Sequence, residues 1–80
     1  MKLRSEVRAR PGPADYKIDD LVEVKLRRPQ GDMVFYPARV FDRSLTYLRV
    51  RVVGTGSEVS LTRWDVRLFV RRPGETYGDV

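Results

Sequence analysis

Hydrophobic and polar residues alternate along several short stretches of the chain. In the first stretch, Val22, Val24 and Leu26 alternate with Glu23 and Lys25, which is typical of a strand with one face in a core. Turn signals separate such stretches roughly every eight to twelve residues, and no stretch shows sustained helical periodicity. The pattern predicts an all-β domain of five strands, at residues 21–26, 33–42, 45–53, 58–61 and 66–70.

The second stretch contains a proline and three aromatic residues. Pro37 cannot donate to a strand ladder, so we expect this strand at a sheet edge or at a bulge. Alternation divides its side chains between two faces. One face carries Tyr36, Ala38 and Val40, and the other carries Phe35, Arg39 and Phe41.

The core and the connection before the last strand follow from the same pattern. Residues 62–65 predict a short 3₁₀ turn. A partly open five-stranded barrel is the economical fold at this size, because closure removes exposed edges. The inward positions predict a core of Val22, Val24, Leu26, Ala38, Val40, Leu48, Val50, Val52, Val59, Leu61, Val66 and Leu68.

The length of the chain and the positions of its prolines and glycines indicate one domain with two tails. Eighty residues allow a single modest core. Pro11, Gly12 and Pro13 interrupt any regular element near the start, and Pro73 and Gly74 do so near the end. We expect a flexible basic arm at residues 1–16, the barrel at 17–71 and a flexible tail at 72–80.

The composition argues against several kinds of chemistry, but it does not identify a ligand. The chain has neither histidine nor cysteine, and it shows no glycine-rich phosphate loop or carboxylate pair. These features argue against an enzyme, a metal site or a cofactor. The net charge is +5, and 13 of the 16 basic residues are arginine, which favours nucleic acid or an acidic partner. No apolar run approaches the ~20 residues of a membrane span.

Four short segments in order resemble a Tudor domain of the Agenet and fragile X type. They are Asp20 to Val24, Phe35 to Val40, Val50 to Val52 and Trp64 to Arg67. The resemblance covers about residues 18–70 and implies a strongly bent, five-stranded SH3-like barrel without enzymatic activity. It also implies a nuclear, chromatin-associated module that binds a histone tail or another peptide, methylated or unmodified. A second Tudor unit in a longer chain is a further expected partner.

The resemblance places a peptide-binding rim at one end of the barrel. Tyr36 matches the cage tyrosine of the second strand, and Glu58 matches a polar cage position. Leu26, Val53 and Gly56 stand where other cage members carry aromatics, so the cage is incomplete. Since each ring contributes only about 0.5–2 kcal/mol, one ring should bind trimethyllysine poorly. We expect the rim to consist of Tyr36, Glu58, Trp64 and Tyr47.

Arginines on the outward strand positions give an alternative hypothesis, in which the barrel binds DNA or RNA. Like charges on neighbouring strands destabilise a sheet, so a cluster of them suggests an anionic partner. The opposing interpretation is that Glu23, Asp42 and Glu58 neutralise these arginines. The expected nucleic-acid or acidic-partner face consists of Arg27, Arg28, Arg39, Arg49 and Arg51.

Overall fold

The structure of the protein is a computed structural model that describes residues 10–75 and residue 77. Five strands and one short helix follow a 3₁₀ turn at Pro13–Asp15. The predicted all-β character is confirmed for the sheet, whereas the helix is an addition. The elements are β1 (Leu21–Arg27), β2 (Met33–Arg43), β3 (Tyr47–Val52), β4 (Glu58–Thr62), α1 (Arg63–Phe69) and β5 (Val70–Arg71).

All five strands belong to one antiparallel sheet in the order β4-β3-β2-β1-β5. The first four strands form a meander, in which each strand pairs with the next along the chain. The fifth strand returns to the other side of β1, where Arg71 pairs with Glu23 and Val70 pairs with Val24. β2 therefore occupies the middle of the sheet, between β3 and β1.

The prediction for residues 62–70 was wrong. A 3₁₀ turn and a strand were expected there, but the chain forms α1 and only a two-residue β5. Thr62 caps the helix, because its hydroxyl accepts a hydrogen bond from the Asp65 amide (3.3 Å). The Asp65 carboxylate accepts in return from the Thr62 amide (3.4 Å), which completes a capping box. One face of the helix then buries Val66 in the core.

Pro37 lies in a central strand, so the expectation of an edge strand was wrong. Its carbonyl oxygen accepts from the Val53 amide (3.0 Å), just beyond the Ala38–Val52 pair that ends the β2–β3 ladder. Because the amide and carbonyl groups of a strand residue point to the same side, the missing donor of Pro37 also lies at the end of this ladder. The register shift lies further along β2, between Val40 and Asp42, rather than at the proline.

The core forms on the inward face of the sheet, largely as the alternation predicted. Leu26 and Val59 are only partly buried, and Leu68 is exposed because it lies on the outer side of α1. Tyr16 and Val70 are buried although neither was expected in the core. The buried cluster is Tyr16, Val22, Val24, Ala38, Val40, Leu48, Val50, Val52, Leu61, Val66 and Val70.

Tyr16 joins the segment before β1 to the segment after β5. The Arg72 guanidinium lies 4.6 Å from the centre of the Tyr16 ring and donates to the Asp15 carbonyl (2.7 Å). The backbone amide of Arg72 donates to the Tyr77 hydroxyl (3.0 Å). These contacts place residues 15–16 and 72 on one structural unit. Residues 1–9, 76 and 78–80 of the predicted arm and tail lie outside the described residues.

Candidate functional site: the outer face of the sheet

Three of the five predicted basic residues lie together on the outer face of β2 and β3. Arg39 is directly paired with Arg51 across the two strands. Arg49 lies two residues before Arg51 and therefore on the same face. All three side chains are exposed, while the alternating residues Val50 and Val52 are buried. Alternation in β3 thus turns one face into core and the other into a cationic surface.

Phe41 supports two of these arginines. The guanidinium carbons of Arg49 and Arg51 lie 5.2 Å and 4.9 Å from the centre of its ring. Both distances fall within the range of cation–π attraction. Phe41 stands where the β2–β3 register shifts, and such a bulge can re-aim a side chain. The ring holds two like charges close together on one surface.

Acidic residues pair with part of this cluster. Arg51 Nη2 lies 2.6 Å from Glu58 Oε2, and Arg49 Nη1 lies 3.7 Å from Asp42 Oδ2. The hydrogen bond from Arg51 holds the pKa of the Glu58 carboxyl below its ordinary value. Both pairs are solvent-exposed, so each is weak. Another anion can therefore replace the carboxylate beside either arginine.

Arg39 is held by the backbone instead of a carboxylate. Its Nη1 donates to the Asp19 carbonyl (2.9 Å). Asp19 adopts a positive φ of 75°, a conformation that aspartate tolerates better than most residues. Among residues 10–75 and 77, no ion pair with Arg39 occurs within 4.0 Å. A shallow pocket of about 280 Å³ lies between Arg39, Arg51 and Val53.

A second aromatic residue on the outer face also contacts cations. The Arg71 guanidinium lies 3.7 Å from the centre of the Phe35 ring, and Lys25 Nζ lies 5.7 Å from it. Arg71 also pairs with Glu23 (2.6 Å). Sequence reasoning placed Phe35 on this face but did not find Arg71, because the chain segment that carries it was read as the end of the domain.

Arg27 and Arg28 lie apart from the Arg39–Arg51 pair. The β1–β2 register puts them at the Met33 end of β2, six residues and therefore about 20 Å from Arg39. Arg28 makes two hydrogen bonds to Asp32, of 3.0 Å and 2.6 Å. This contact lowers the pKa of the Asp32 carboxyl and raises the pKa of the guanidinium. The structure therefore divides the five predicted arginines into two groups.

The four expected rim residues occupy different surfaces. Tyr36 faces the core side of β2 and lines a groove of about 190 Å³ with Leu26, Arg27, Val52, Thr55 and Ser57. Glu58 lies on the opposite face of the sheet with Arg51. Tyr47 donates its hydroxyl to Asp42 (3.2 Å), and Trp64 is exposed on α1. The groove beside Tyr36 thus contains one aromatic ring and one arginine.

Neither a metal site nor a membrane span is found in the part of the chain that the structure describes. No three acidic side chains there are arranged to hold a metal ion. None of the helices in that part has the length and apolar character that a bilayer crossing requires. No known protein family, curated protein or solved structure matches this chain.

Proposed function

We propose that this protein is a non-enzymatic binding module that binds nucleic acid on the outer face of its sheet. The observation that carries the proposal is the direct pairing of Arg39 with Arg51, together with Arg49 on the same face. Placing like charges opposite each other destabilises a sheet. A polyanion would relieve that repulsion and release counterions, which is the main source of affinity for phosphate backbones.

The charges on the outer face support an anionic partner. Leaving aside Arg27 at the far end of β1, five cations on this face accompany three paired carboxylates, which leaves an excess of two positive charges. The five are Lys25, Arg39, Arg49, Arg51 and Arg71, and the three are Glu23, Asp42 and Glu58.

The aromatic residues favour nucleic acid within the class of anionic partners. Phe35 and Phe41 each contact two cations. Arginine guanidinium planes stack on bases, and aromatic rings do the same. A surface with both groups can contact phosphates and bases at once, whereas a simple acidic peptide needs only the charges.

The strand order supports an SH3-like barrel as the scaffold. A four-strand meander with the fifth strand beside the first is the order that such a barrel requires, and curling of the sheet would bring β4 towards β5. In that arrangement the outward residues of β2 and β3 form one continuous exposed surface.

Salt-dependent binding tests the proposal. Fluorescence anisotropy would measure the affinity for labelled single-stranded DNA, duplex DNA and RNA at 50 and 200 mM salt. Each phosphate contact contributes a slope of about 0.7–0.9 in log K against log salt. The double variant Arg49→Ala/Arg51→Ala should therefore reduce the slope by about 1.5 and weaken binding to all sequences.

The matched control is Arg28→Ala, because the β1–β2 register places this residue near the Met33 end of β2, about 20 Å from Arg39. It should leave the slope unchanged. Binding that is absent at low salt, or that ignores the double substitution, would rule out this face as a nucleic-acid site.

A second candidate is a Tudor-like peptide reader, which the half-buried Tyr36 in its groove favours. In this role the module would bind a histone tail or another peptide in the nucleus, alone or beside a second Tudor unit. Arg27 in the same groove would repel a lysine whether or not it is methylated, so an acidic peptide fits this groove better than a basic one. NMR titration with methylated and unmodified peptides tests it, and unshifted Tyr36 resonances at millimolar peptide would exclude it.

A further inference from the structure

The outward side of α1 presents two apolar side chains that are largely exposed to solvent. Trp64 and Leu68 are 60% and 62% exposed. They are four residues apart, so they lie one above the other on the same face of the helix. Val66 points the opposite way and is fully buried. The helix therefore has one face in the core and a second apolar face towards solvent.

Basic residues border this apolar pair on one flank. Helical geometry places Arg63 and Arg67 side by side, with Arg67 one turn along from Trp64. The Arg63 guanidinium lies 5.1 Å from the centre of the Trp64 indole. Neither arginine has an acidic partner within 4.0 Å among residues 10–75 and 77. The exposed face thus carries an apolar stripe beside a cationic stripe.

The only acidic residue of α1 is already engaged. Asp65 lies on the other flank, and its carboxylate accepts from the amide and the hydroxyl of Thr62 (3.4 Å and 3.2 Å). It therefore serves the capping box, which fixes the helix on the sheet. The arginines remain available to an external anion.

The turn between β2 and β3 lies beside the start of α1 and carries a further exposed apolar residue. The Arg63 amide donates to the Thr46 carbonyl (2.9 Å), which places this turn beside the start of α1. Leu45 in the turn is 78% exposed. The α1 surface, defined here as Leu45, Arg63, Trp64, Arg67 and Leu68, contains three of the large exposed hydrophobic residues of the protein.

We infer that the α1 surface binds an acidic amphipathic segment of a partner protein. Apolar side chains of the segment would pack between Trp64 and Leu68, and its carboxylates would pair with Arg63 and Arg67. Tryptophan and arginine are the residues that contribute most to protein interfaces. The small size of the surface predicts a weak, transient interaction.

Charge and size distinguish this occupant from the alternatives. A nucleic acid would gain little from the aliphatic Leu68, which offers no flat ring for stacking. A helix of seven residues spans about 10 Å, which is short for an interfacial membrane helix. A second copy of this chain would bring two sets of arginines together and repel. Residues 1–9 carry three basic residues and one acidic residue, so their charge also matches poorly.

The single tryptophan of the chain provides a direct readout. The probe is a 16-residue amphipathic peptide with leucines on one helical face and glutamates beside them. A matched peptide has lysines in place of the glutamates. The glutamate peptide should shift the Trp64 emission to shorter wavelength with saturation, and the lysine peptide should bind at least about tenfold more weakly.

Substitutions that reverse the charge, and control substitutions at other exposed residues, complete the test. Arg63→Glu/Arg67→Glu should reverse the preference between the two peptides, whereas Lys17→Glu should not. Leu68→Ala should weaken binding, whereas Ile18→Ala, at a residue 50% exposed elsewhere, should not. Arg49→Ala/Arg51→Ala should leave peptide binding intact, so this proposal can fail independently of nucleic-acid binding.

Several results would overturn the inference. They are equal binding of both peptides, no saturable change at millimolar peptide, or a stronger Trp64 response to oligothymidine or to vesicles of anionic lipid. Self-association that quenches the response, or an increase in affinity when residues 1–9 are deleted, would assign the surface to a second copy or to the chain's own N-terminal segment.

Discussion

Tyr16→Phe should stabilise the protein, although it removes a polar group from a tyrosine that holds the two ends of the domain together. The Tyr16 side chain is fully buried, and its hydroxyl has no hydrogen-bond partner among the described residues. Phenylalanine keeps the ring in the core and keeps the contact with the Arg72 guanidinium at 4.6 Å. The substitution removes the cost of burying the hydroxyl together with its interaction with the neighbouring Tyr77.

The size of the effect depends on pH. An unsatisfied buried hydroxyl costs about 1–3 kcal/mol, so we expect a gain of about 1 kcal/mol at pH 7. Burial raises the pKa of Tyr16 well above its ordinary value, and the neighbouring Tyr77 adds to the shift. Above pH ~10 the unfolded chain releases this proton while the folded protein keeps it. The wild type should therefore lose a further ~1.4 kcal/mol per pH unit that Tyr16→Phe does not lose.

Urea unfolding at pH 7 and pH 11, followed by far-ultraviolet circular dichroism, measures both quantities. The advantage of Tyr16→Phe should grow from about 1 kcal/mol to about 2.4 kcal/mol. Tyr47→Phe is the contrasting control, because its hydroxyl donates to Asp42 (3.2 Å) and its loss should lower stability. If Tyr16→Phe lowers the free energy of unfolding at pH 7, or if its advantage stays constant up to pH 11, the assignment of an unpaired buried hydroxyl is incorrect.

Three further predictions concern the cap, the core and an ion pair. Thr62→Ala should lower the free energy of unfolding by about 1 kcal/mol, because α1 loses its capping box; an unchanged urea midpoint would contradict the cap. Leu48→Ala should cost about 2–5 kcal/mol, whereas Leu45→Ala should stay within about 0.5 kcal/mol, and similar losses in both would place the core wrongly. The pKa of Asp32 is lowered by Arg28, so this pair stabilises the fold above pH ~4 and the contribution disappears as the pH falls. Asp32→Asn should accordingly show a smaller drop in urea midpoint between pH 5 and pH 2, and an equal drop would argue against the pair.

The sequence predicted the meander well because alternation there is strict and each connection is short. In β3, for example, buried Val50 and Val52 alternate with exposed Arg49 and Arg51. The direct pairing of Arg39 with Arg51 was harder to predict. It depends on the β2–β3 register, which shifts at a bulge that no residue type marks in advance.

The helix was not predicted because a short amphipathic helix can show the same alternation of apolar and polar residues as a strand. Val66, Leu68 and Val70 alternate with polar or aromatic residues, yet only Val66 and Val70 are buried, one helical turn apart. A usable signal was present in Thr62 and Asp65, since a hydroxyl residue followed three positions later by an acid is typical of a capping box. Trp64 lies on α1 for the same reason, whereas Glu58 lies on the outer face because it pairs with Arg51.

β5 pairs with β1 over only two residues, which affects the order in which the strands of the sheet separate. The meander closes connections of three to five residues, whereas Glu23 and Arg71 meet across 48 residues. Long connections cost more loop entropy and form late in folding. We therefore expect backbone amide protons of β5 to exchange with solvent well before those of β2, through a partial opening that detaches β5 while the meander stays intact. Such an opening would expose Tyr16 without unfolding the surface that carries Arg39 and Arg51.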